Sequence, residues 1–136
     1  MDWKLELVVV PVSDLDRAKA FYIEKAGFDL GVDHEAGDFR VVQLTPPGSA
    51  CSIALMKNSD APGSLQGLHL VVDDIEAAHS ALEERGAEVS GLFHFEAGVQ
   101  VPGADPLRAD YGSFLSFSDH DGNGWLVQEV RTSHAG

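Results

Sequence analysis

Hydrophobic and polar residues follow nearly the same order in two segments of the chain. The segments read VSDLDRAKAFYIEKAGF (residues 12–28) and VDDIEAAHSALEERGA (residues 72–87). Asp14 aligns with Asp74, and the segments close on Gly27 and Gly86, one residue out of step. Because the period is longer than that of solenoid repeats, it predicts a duplicated supersecondary unit rather than an array.

The first copy is predicted to open with a strand and a helix. The β-branched run at residues 4–12 is typical of a strand. Alternation places on one face of this strand Trp3, Leu5, Leu7 and Val9. Apolar residues then recur at helical spacing from Leu15 to Tyr22, with Ser13 as the predicted N-cap and Gly27 as the end of the helix.

Strands and turns complete the first copy, and the second copy repeats the order. Strands are predicted at 28–34, 39–45, 51–56, 67–72, 87–95, 112–118 and 124–130. The second helix is predicted to begin after the cap Asp73 and to end at Gly86. Residues 96–110 are predicted to form one long loop, either a cover over a site or a mobile segment.

Each copy therefore has the order βαβββ, which predicts the α+β class. We expect a single domain over residues 1–136, built of module one (1–57), a linker (58–65) and module two (66–131). Each helix covers one face of its sheet, and strand twist curves the other face. The two modules together are predicted to form a curved mixed sheet around a cleft.

Composition narrows the range of partners. The formal net charge of −13 repels phosphate backbones and no Lys/Arg cluster offsets it, so we expect no nucleic-acid partner. No apolar run approaches the roughly 20 residues that span a bilayer, and the N-terminus has no signal-peptide pattern. We therefore expect a cytoplasmic protein without a membrane partner. The acidity could steer a cationic ligand, although net charge also simply keeps a protein soluble.

Three segments carry a resemblance to a known family. They are VPVSDLDRAKAFY followed by GF in module one, and LVVDDIEAA followed by LEERGA, then DHDGNGWLVQE, in module two. They resemble the vicinal oxygen chelate superfamily, which includes glyoxalase I, extradiol dioxygenases, fosfomycin-resistance thiol transferases and bleomycin-resistance binding proteins. The last segment is similar to the family's DPDGN signature. The resemblance covers essentially the whole chain and implies the glyoxalase/bleomycin resistance/dioxygenase fold, a homodimer and a ligand-binding cleft.

Enzymes of this superfamily hold a metal ion with His, Glu or Gln side chains from two strands of each module. Counting back from Asp14 and Asp74 places two of the corresponding positions at Leu7 and Gly67. The middle strand of module one gives Gln43 as the third, and the final strand, with a two-residue offset, gives Gln128 as the fourth. Leucine has no donor atom, glycine has none in its side chain, and two neutral amides hold a catalytic divalent ion weakly. We therefore expect no metal ion and no other cofactor.

Several further side chains are candidates for contact with a ligand. His69 lies two residues beyond Gly67 on the same face, and it is either a general base, a hydrogen-bonding group or a structural histidine. Aromatic surface that either stacks on a flat ligand or packs in the core is supplied by Phe93, Phe95, Tyr111, Phe114 and Trp125. Alternation places Trp125 and Gln128 on opposite faces, so both line the cleft only if Trp125 lies at an irregular strand start.

These observations favour a protein that binds a small molecule without a metal, of the bleomycin-resistance type, such as one that sequesters an antibiotic. Its predicted ligand-binding residues are Leu7, Gln43, Gly67, His69, Tyr111, Phe114, Trp125 and Gln128. The alternative is a lyase or dioxygenase-like enzyme of the same superfamily, with an unusual metal set or with His69 as catalytic base. A pure interaction module is the third hypothesis.

Overall fold

A computed structural model of the chain describes residues 1–57 and 60–132. The chain divides into two compact units. The first comprises Met1–Gln66 with Asp119–Asn123, and the second comprises Gly67–Ser118 with the segment that begins at Gly124. Each unit holds one mixed sheet and one α-helix within the described residues, so the predicted α+β class is confirmed. Residues 58 and 59 of the predicted linker lie outside the described residues.

The first unit is a four-stranded sheet. Its elements are β1 (Leu7–Pro11), α1 (Leu15–Ala20) with a π-helical turn (Phe21–Lys25), β2 (Asp29–Ala36), β3 (Phe39–Thr45) and β4 (Ser52–Met56). The strand order is β1-β4-β3-β2, with β1 parallel to β4 and the other pairs antiparallel. β1 begins at Leu7 rather than at residue 4. Leu7 pairs with Ser52, which is the first residue of β4, so β4 supplies no paired residue for positions 4–6.

The second unit is a five-stranded sheet. Its elements are β5 (Leu68–Val72), α2 (Ile75–Glu84), β6 (Phe93–Glu96), β7 (Val99–Pro102), β8 (Phe114–Ser118) and β9 (Gly124–Glu129), in the strand order β5-β9-β8-β6-β7. The prediction of an unbroken loop over 96–110 was wrong, since β6 and β7 form a hairpin. Ala97 and Gly98 at its tip both have positive φ, as a two-residue type I′ turn requires.

The aligned aspartates cap the two helices. Asp14 accepts a hydrogen bond from the Arg17 amide at 3.0 Å, and Asp74 accepts from the amides of Glu76 and Ala77. The predicted caps Ser13 and Asp73 were therefore each one residue early. Gly27 and Gly86 follow the helices with φ of +77° and +81°, as expected of residues beyond a C-cap.

The π-helical turn accounts for the offset between the copies. The Ala26 amide donates to the Phe21 carbonyl, a bond across five residues instead of four. This adds one residue between Asp14 and Gly27 relative to Asp74 and Gly86. No helix in the described residues is long and apolar enough to cross a membrane.

Each sheet buries one face and leaves the other open. In the first unit the fully buried face carries Val10, Val42, Leu44 and Leu55, together with Tyr22 from the helix. In the second unit it carries Leu115, Phe117, Trp125 and Val127, together with Ile75 and Leu82 from α2. Removal of these apolar side chains from water is the main stabilising contribution. The opposite faces remain available for other contacts.

The DHDGN turn is built into the first unit by hydrogen bonds. Asp119 accepts bonds from three backbone amides of its own turn, and its other carboxylate oxygen accepts from the Tyr22 hydroxyl and the Asn123 amide, both at 2.8 Å. Asn123 also donates to the Pro11 carbonyl and accepts from the Leu65 amide. The signature segment is therefore structural, because its polar groups connect the π-helical turn, the end of β1 and Leu65.

Candidate functional site

An open sheet face in the second unit gathers four strands into two rows of side chains. The first row is Val71, Gln128, Phe114 and Phe93, and the second is His69, Leu126 and Ser116. We call these residues, with Phe95, the open face of the second sheet. Period-two alternation turns them away from the face that carries Trp125 and Val127. The sequence-predicted residues His69, Phe114 and Gln128 therefore lie on one surface.

Three phenylalanines form a cluster on this face. The Phe93 and Phe114 rings are stacked, with centroids 5.7 Å apart and planes 24° from parallel. Phe95 meets both edge-on, at 6.0 Å from Phe93 and 5.7 Å from Phe114. Phe95 is 53% exposed, and Phe93 and Phe114 are half-buried. The cluster presents preordered aromatic surface to solvent, the kind of surface on which a flat molecule stacks.

His69 is held in one orientation by the residue that aligns with a metal-ligand position. Its Nδ1 lies 2.6 Å from the carbonyl oxygen of Gly67. Since a carbonyl oxygen only accepts hydrogen bonds, Nδ1 carries the proton, and in the neutral ring Nε2 carries the lone pair. Gly67 has a φ of +79°, which glycine adopts without strain. The side chain of His69 is exposed, so Nε2 can accept a hydrogen bond from a bound molecule.

Trp125 does not belong to the open face. It pairs with Leu68 and Phe117, is 4% exposed, and its ring stacks on Phe117 with centroids 5.8 Å apart and planes 2° from parallel. The strand is regular at this point, so the irregular start that the sequence interpretation required is not present. The structure places Trp125 in the core of the second unit.

Tyr111 lies in the loop that precedes β8. Its φ is +62° and its amide donates to the Glu129 carbonyl at 2.8 Å. The residue is 55% exposed. A non-glycine residue in the left-handed region is strained, and here the backbone bond to β9 holds it. Its role as a ligand contact stays a prediction.

Leu7 and Gln43 belong to the first unit. They lie on the face of the first sheet opposite Val10 and Val42. The same face carries Val9, Ser52 and the buried Ala54, where Gln43 pairs with Ala54 and Ala54 with Val9. Val9 is 37% exposed, and Leu7 and Gln43 are half-buried. The Gln43 amide and the Ser52 hydroxyl are the polar groups among these side chains, and contact of this face with a ligand also stays a prediction.

The donors at the four counted positions do not fit a catalytic metal ion. Leu7 and Gly67 supply no side-chain donor, and the carbonyl of Gly67 is engaged by His69. Gln43 and Gln128 supply neutral amides, whereas divalent ions in such sites are bound by imidazole, thiolate or carboxylate. In the part of the chain that the structure describes, no group of three or more His, Cys, Asp or Glu side chains lies close enough together to hold a metal ion.

An ion pair behind the open face was missed by the sequence reasoning. Glu129 is fully buried and accepts from the Ile75 amide at the start of α2, while Arg108 pairs with both of its carboxylate oxygens and also with Glu76. The hydrogen bonds from Arg108 hold the pKa of Glu129 below its usual range, and the same contact raises the pKa of Arg108. The signal that could have found the pair is alternation, which puts Glu129 on the face opposite Gln128, and a buried carboxylate requires a cationic partner.

This ion pair positions the loop that carries Tyr111. Arg108 has a φ of +50° and lies in the same loop. By joining Glu129 to the N-terminal turn of α2, its guanidinium fixes the loop against the helix and the end of β9. Arg108 thus holds this loop in place next to β9 and α2.

The chain matches a known protein family over most of its length and is similar to a bacterial protein. The family model of the glyoxalase/bleomycin resistance protein/dioxygenase superfamily matches residues 4–127. The chain is 29% identical over 126 residues to an uncharacterized protein, YetH, from Bacillus subtilis (strain 168), covering 90% of this chain and 94% of that protein.

Two solved structures from Streptomyces sp. CB03234 are also similar. One is TnmS3, an antibiotic binding protein, with 36% identity, a TM-score of 0.75 and coverage of 94% of this chain and 96% of that chain. The other is a glyoxalase/bleomycin resistance protein with 37% identity, a TM-score of 0.72 and coverage of 93% and 100%.

Proposed function

The chain belongs to the glyoxalase/bleomycin resistance protein/dioxygenase superfamily, and from this membership we propose that it binds a small, flat organic molecule without a metal ion. The observation that carries the proposal is the cluster of Phe93, Phe95 and Phe114 on an open sheet face. The Gln128 amide lies next to the cluster, and the His69 imidazole lies further along the same face. Aromatic rings supply stacking area, and a few polar groups fix the orientation of a ligand.

Sequestration of an antibiotic is the form of binding that we propose. The similar protein TnmS3 is described as antibiotic binding, and a protein that binds and holds a drug needs affinity but no reacting group. The donor set at the four counted positions supports binding without a metal. The formal charge of −13 is compatible with a neutral or cationic ligand.

We further propose that the protein is a homodimer. Its molar mass, measured by light scattering during gel filtration, tests this.

A thermal-shift screen of aromatic antibiotics tests this function. A ligand that binds only the folded protein raises the melting temperature by mass action, by an amount that grows with its concentration. We expect at least one compound to do so. Absence of any concentration-dependent shift across the screen contradicts the proposal and favours the interaction-module hypothesis.

Two matched variants locate the binding surface. Phe95 and Phe39 are comparably exposed, 53% and 48%, and each lies in a hairpin, but only Phe95 belongs to the open face of the second sheet. Phe95→Leu is expected to weaken binding about five- to tenfold, the loss of roughly 1 kcal/mol of aromatic stacking. Phe39→Leu is expected to leave the affinity unchanged. Equal effects of the two changes would place the ligand elsewhere.

Metal analysis tests the second part of the proposal. Protein dialysed against a chelator is expected to bind the screened ligand with unchanged affinity. Stoichiometric nickel, zinc or iron that survives dialysis, together with loss of binding after its removal, would overturn binding without a metal.

A second function is favoured by one observation, the tautomer of His69. An exposed imidazole whose Nδ1–H is fixed by a carbonyl has its Nε2 lone pair ready to take a proton, as a general base does. The enzyme hypothesis predicts turnover of a substrate that His69→Gln abolishes. Recovery of every bound compound unchanged after long incubation favours binding alone.

A further inference from the structure

The open face of the second sheet carries two different chemistries at two ends. Phe93, Phe95 and Phe114 form the aromatic end on β6 and β8, and His69 forms the polar end on the edge strand β5. His69 and Phe114 are two strands and one row apart, which corresponds to about 12 Å between their Cα atoms. A molecule that touches both ends must therefore be extended.

The surface between the two ends is suited to a flat molecule. Leu126 lies there on β9, and Val71, next to His69 on β5, is 62% exposed. Gln128 lies between Val71 and Phe114 in the first row, and its amide can donate or accept a hydrogen bond. An apolar strip with one versatile amide accommodates a ring system with a carbonyl or a hydroxyl near its middle.

The polar end selects a hydrogen-bond donor. The bond between Nδ1 and the Gly67 carbonyl fixes the proton on Nδ1, so Nε2 of the neutral ring accepts and does not donate. A carboxylate or phosphate facing that lone pair would be repelled and would gain no hydrogen bond. The net charge of −13 acts in the same direction. A hydroxyl or an N–H group is the partner that this nitrogen recognises.

We infer that the ligand is an extended polycyclic aromatic molecule with a hydroxyl group at one end, which donates to Nε2 of His69 while its rings lie against Phe114 and Phe93. The inference rests on the proposed function and goes beyond it by assigning the ligand its class and its direction on the sheet. His69 is thereby a specificity-determining residue.

Three probes with the same ring system and a different group at its end test the inference. They are 2-hydroxyanthracene, 2-methoxyanthracene and anthracene-2-carboxylate, titrated against the full-length protein at pH 8 by their fluorescence. We expect the hydroxyl compound to bind about tenfold more tightly than the methoxy compound, the equivalent of one hydrogen bond. The carboxylate is expected to bind most weakly of the three.

The variant His69→Phe keeps a ring and removes the acceptor. It is expected to abolish the preference for the hydroxyl compound, so that the hydroxyl and methoxy compounds bind the variant with equal affinity. Phe95→Leu is the matched control, because it should weaken all three probes by the same factor and preserve their order. A structural role for His69 predicts instead that His69→Phe weakens all three equally.

The possible results separate this inference from the proposed function. Equal affinity of the hydroxyl and methoxy compounds, or tightest binding of the carboxylate, overturns the assigned ligand class and leaves ligand binding intact. Failure of all three probes also overturns the class. The proposed function itself fails only if the antibiotic screen is negative as well.

Discussion

Replacing Tyr22 with phenylalanine would remove one hydroxyl group from the core of the first unit and leave its ring in place. Tyr22 is 0% exposed, and its hydroxyl donates to the Asp119 carboxylate at 2.8 Å. The Phe21 and Phe28 rings pack against it at 5.0 and 5.6 Å, and phenylalanine preserves these contacts. The change therefore isolates one hydrogen bond that ties the helix to the DHDGN turn.

The expected cost follows from the charge on the acceptor. A hydrogen bond to a charged group contributes about 1.5–3 kcal/mol. The affected oxygen of Asp119 still accepts from Asn123 after the change, so it is not left unpaired, and we expect a loss of about 2 kcal/mol in the free energy of unfolding. For a chain of this length, this corresponds to a fall in melting temperature of about 5–10 °C.

Urea unfolding of both proteins at pH 7 measures the difference, with tryptophan fluorescence and circular dichroism followed in parallel. A double-mutant cycle with Asp119→Asn attributes it to the pair, since the coupling free energy between contacting residues is expected to be at least about 1 kcal/mol. Ligand affinity should not change. An unfolding free energy of Tyr22→Phe within about 0.5 kcal/mol of the parent, or a coupling near zero, would refute the structural role of the turn.

Three further perturbations probe the backbone, an ion pair and the core. Gly63→Ala is expected to cost about 2–4 kcal/mol, because a Cβ there would lie 1.9 Å from a backbone oxygen of the 119–123 turn, whereas Gly48→Ala has the same φ of +81° but meets no atom within 4 Å and should cost about 1 kcal/mol. Equal losses in urea unfolding would contradict this reading. Because Arg108 lowers the pKa of Glu129, their pairing stabilises the fold above about pH 4.3, the pKa of an unfolded glutamate, and this contribution is lost as the pH falls through the lower folded pKa. Arg108→Gln should therefore destabilise the protein strongly at pH 7 and progressively less as the pH falls below about 4.3. A loss independent of pH would count against the pair. Trp125→Leu is expected to lower the free energy of unfolding by about 2–3 kcal/mol and to leave the ligand affinity, measured by titration, unchanged. A loss of affinity without a loss of stability would show instead that Trp125 contacts the ligand.

The duplication was readable because it reflects local chemistry. Asp14 and Asp74 cap helices, and Gly27 and Gly86 follow their ends with positive φ. Caps and terminal glycines act over one turn of chain, so a sequence displays them directly. Even the one-residue offset was visible, although its cause, the π-helical turn, depends on how the helix packs.

The hairpin of β6 and β7 was missed for a related reason. Its tip residues, Ala97 and Gly98, lack the Asn-Gly or Asp-Gly signal of a type I′ turn. β7 is hydrogen-bonded to β6, and the sequence of residues 99–102 does not by itself predict that pairing. Strand formation depends on a partner more than on intrinsic preference.

Of the candidate site, the features that lie within one strand could be predicted, and the contacts between different elements could not. Alternation within β9 correctly placed Trp125 and Gln128 on opposite faces. The meeting of Phe93 with Phe114, and of Arg108 with Glu129, joins residues from different elements. These pairs could not be counted from the sequence, because they depend on the register between strands and on the path of a loop.

By itself the sequence determined the family, the glycines that follow the helices, the alternation of faces and the residue types at the four counted metal positions. All of these are fixed by residue identity and by spacing over one or two turns of chain. The tertiary structure alone decided that three phenylalanines form one cluster, that Gly67 fixes the tautomer of His69, and that the DHDGN turn belongs to the first unit. Each of these depends on hydrogen bonds and packing whose geometry exists only after the chain has folded.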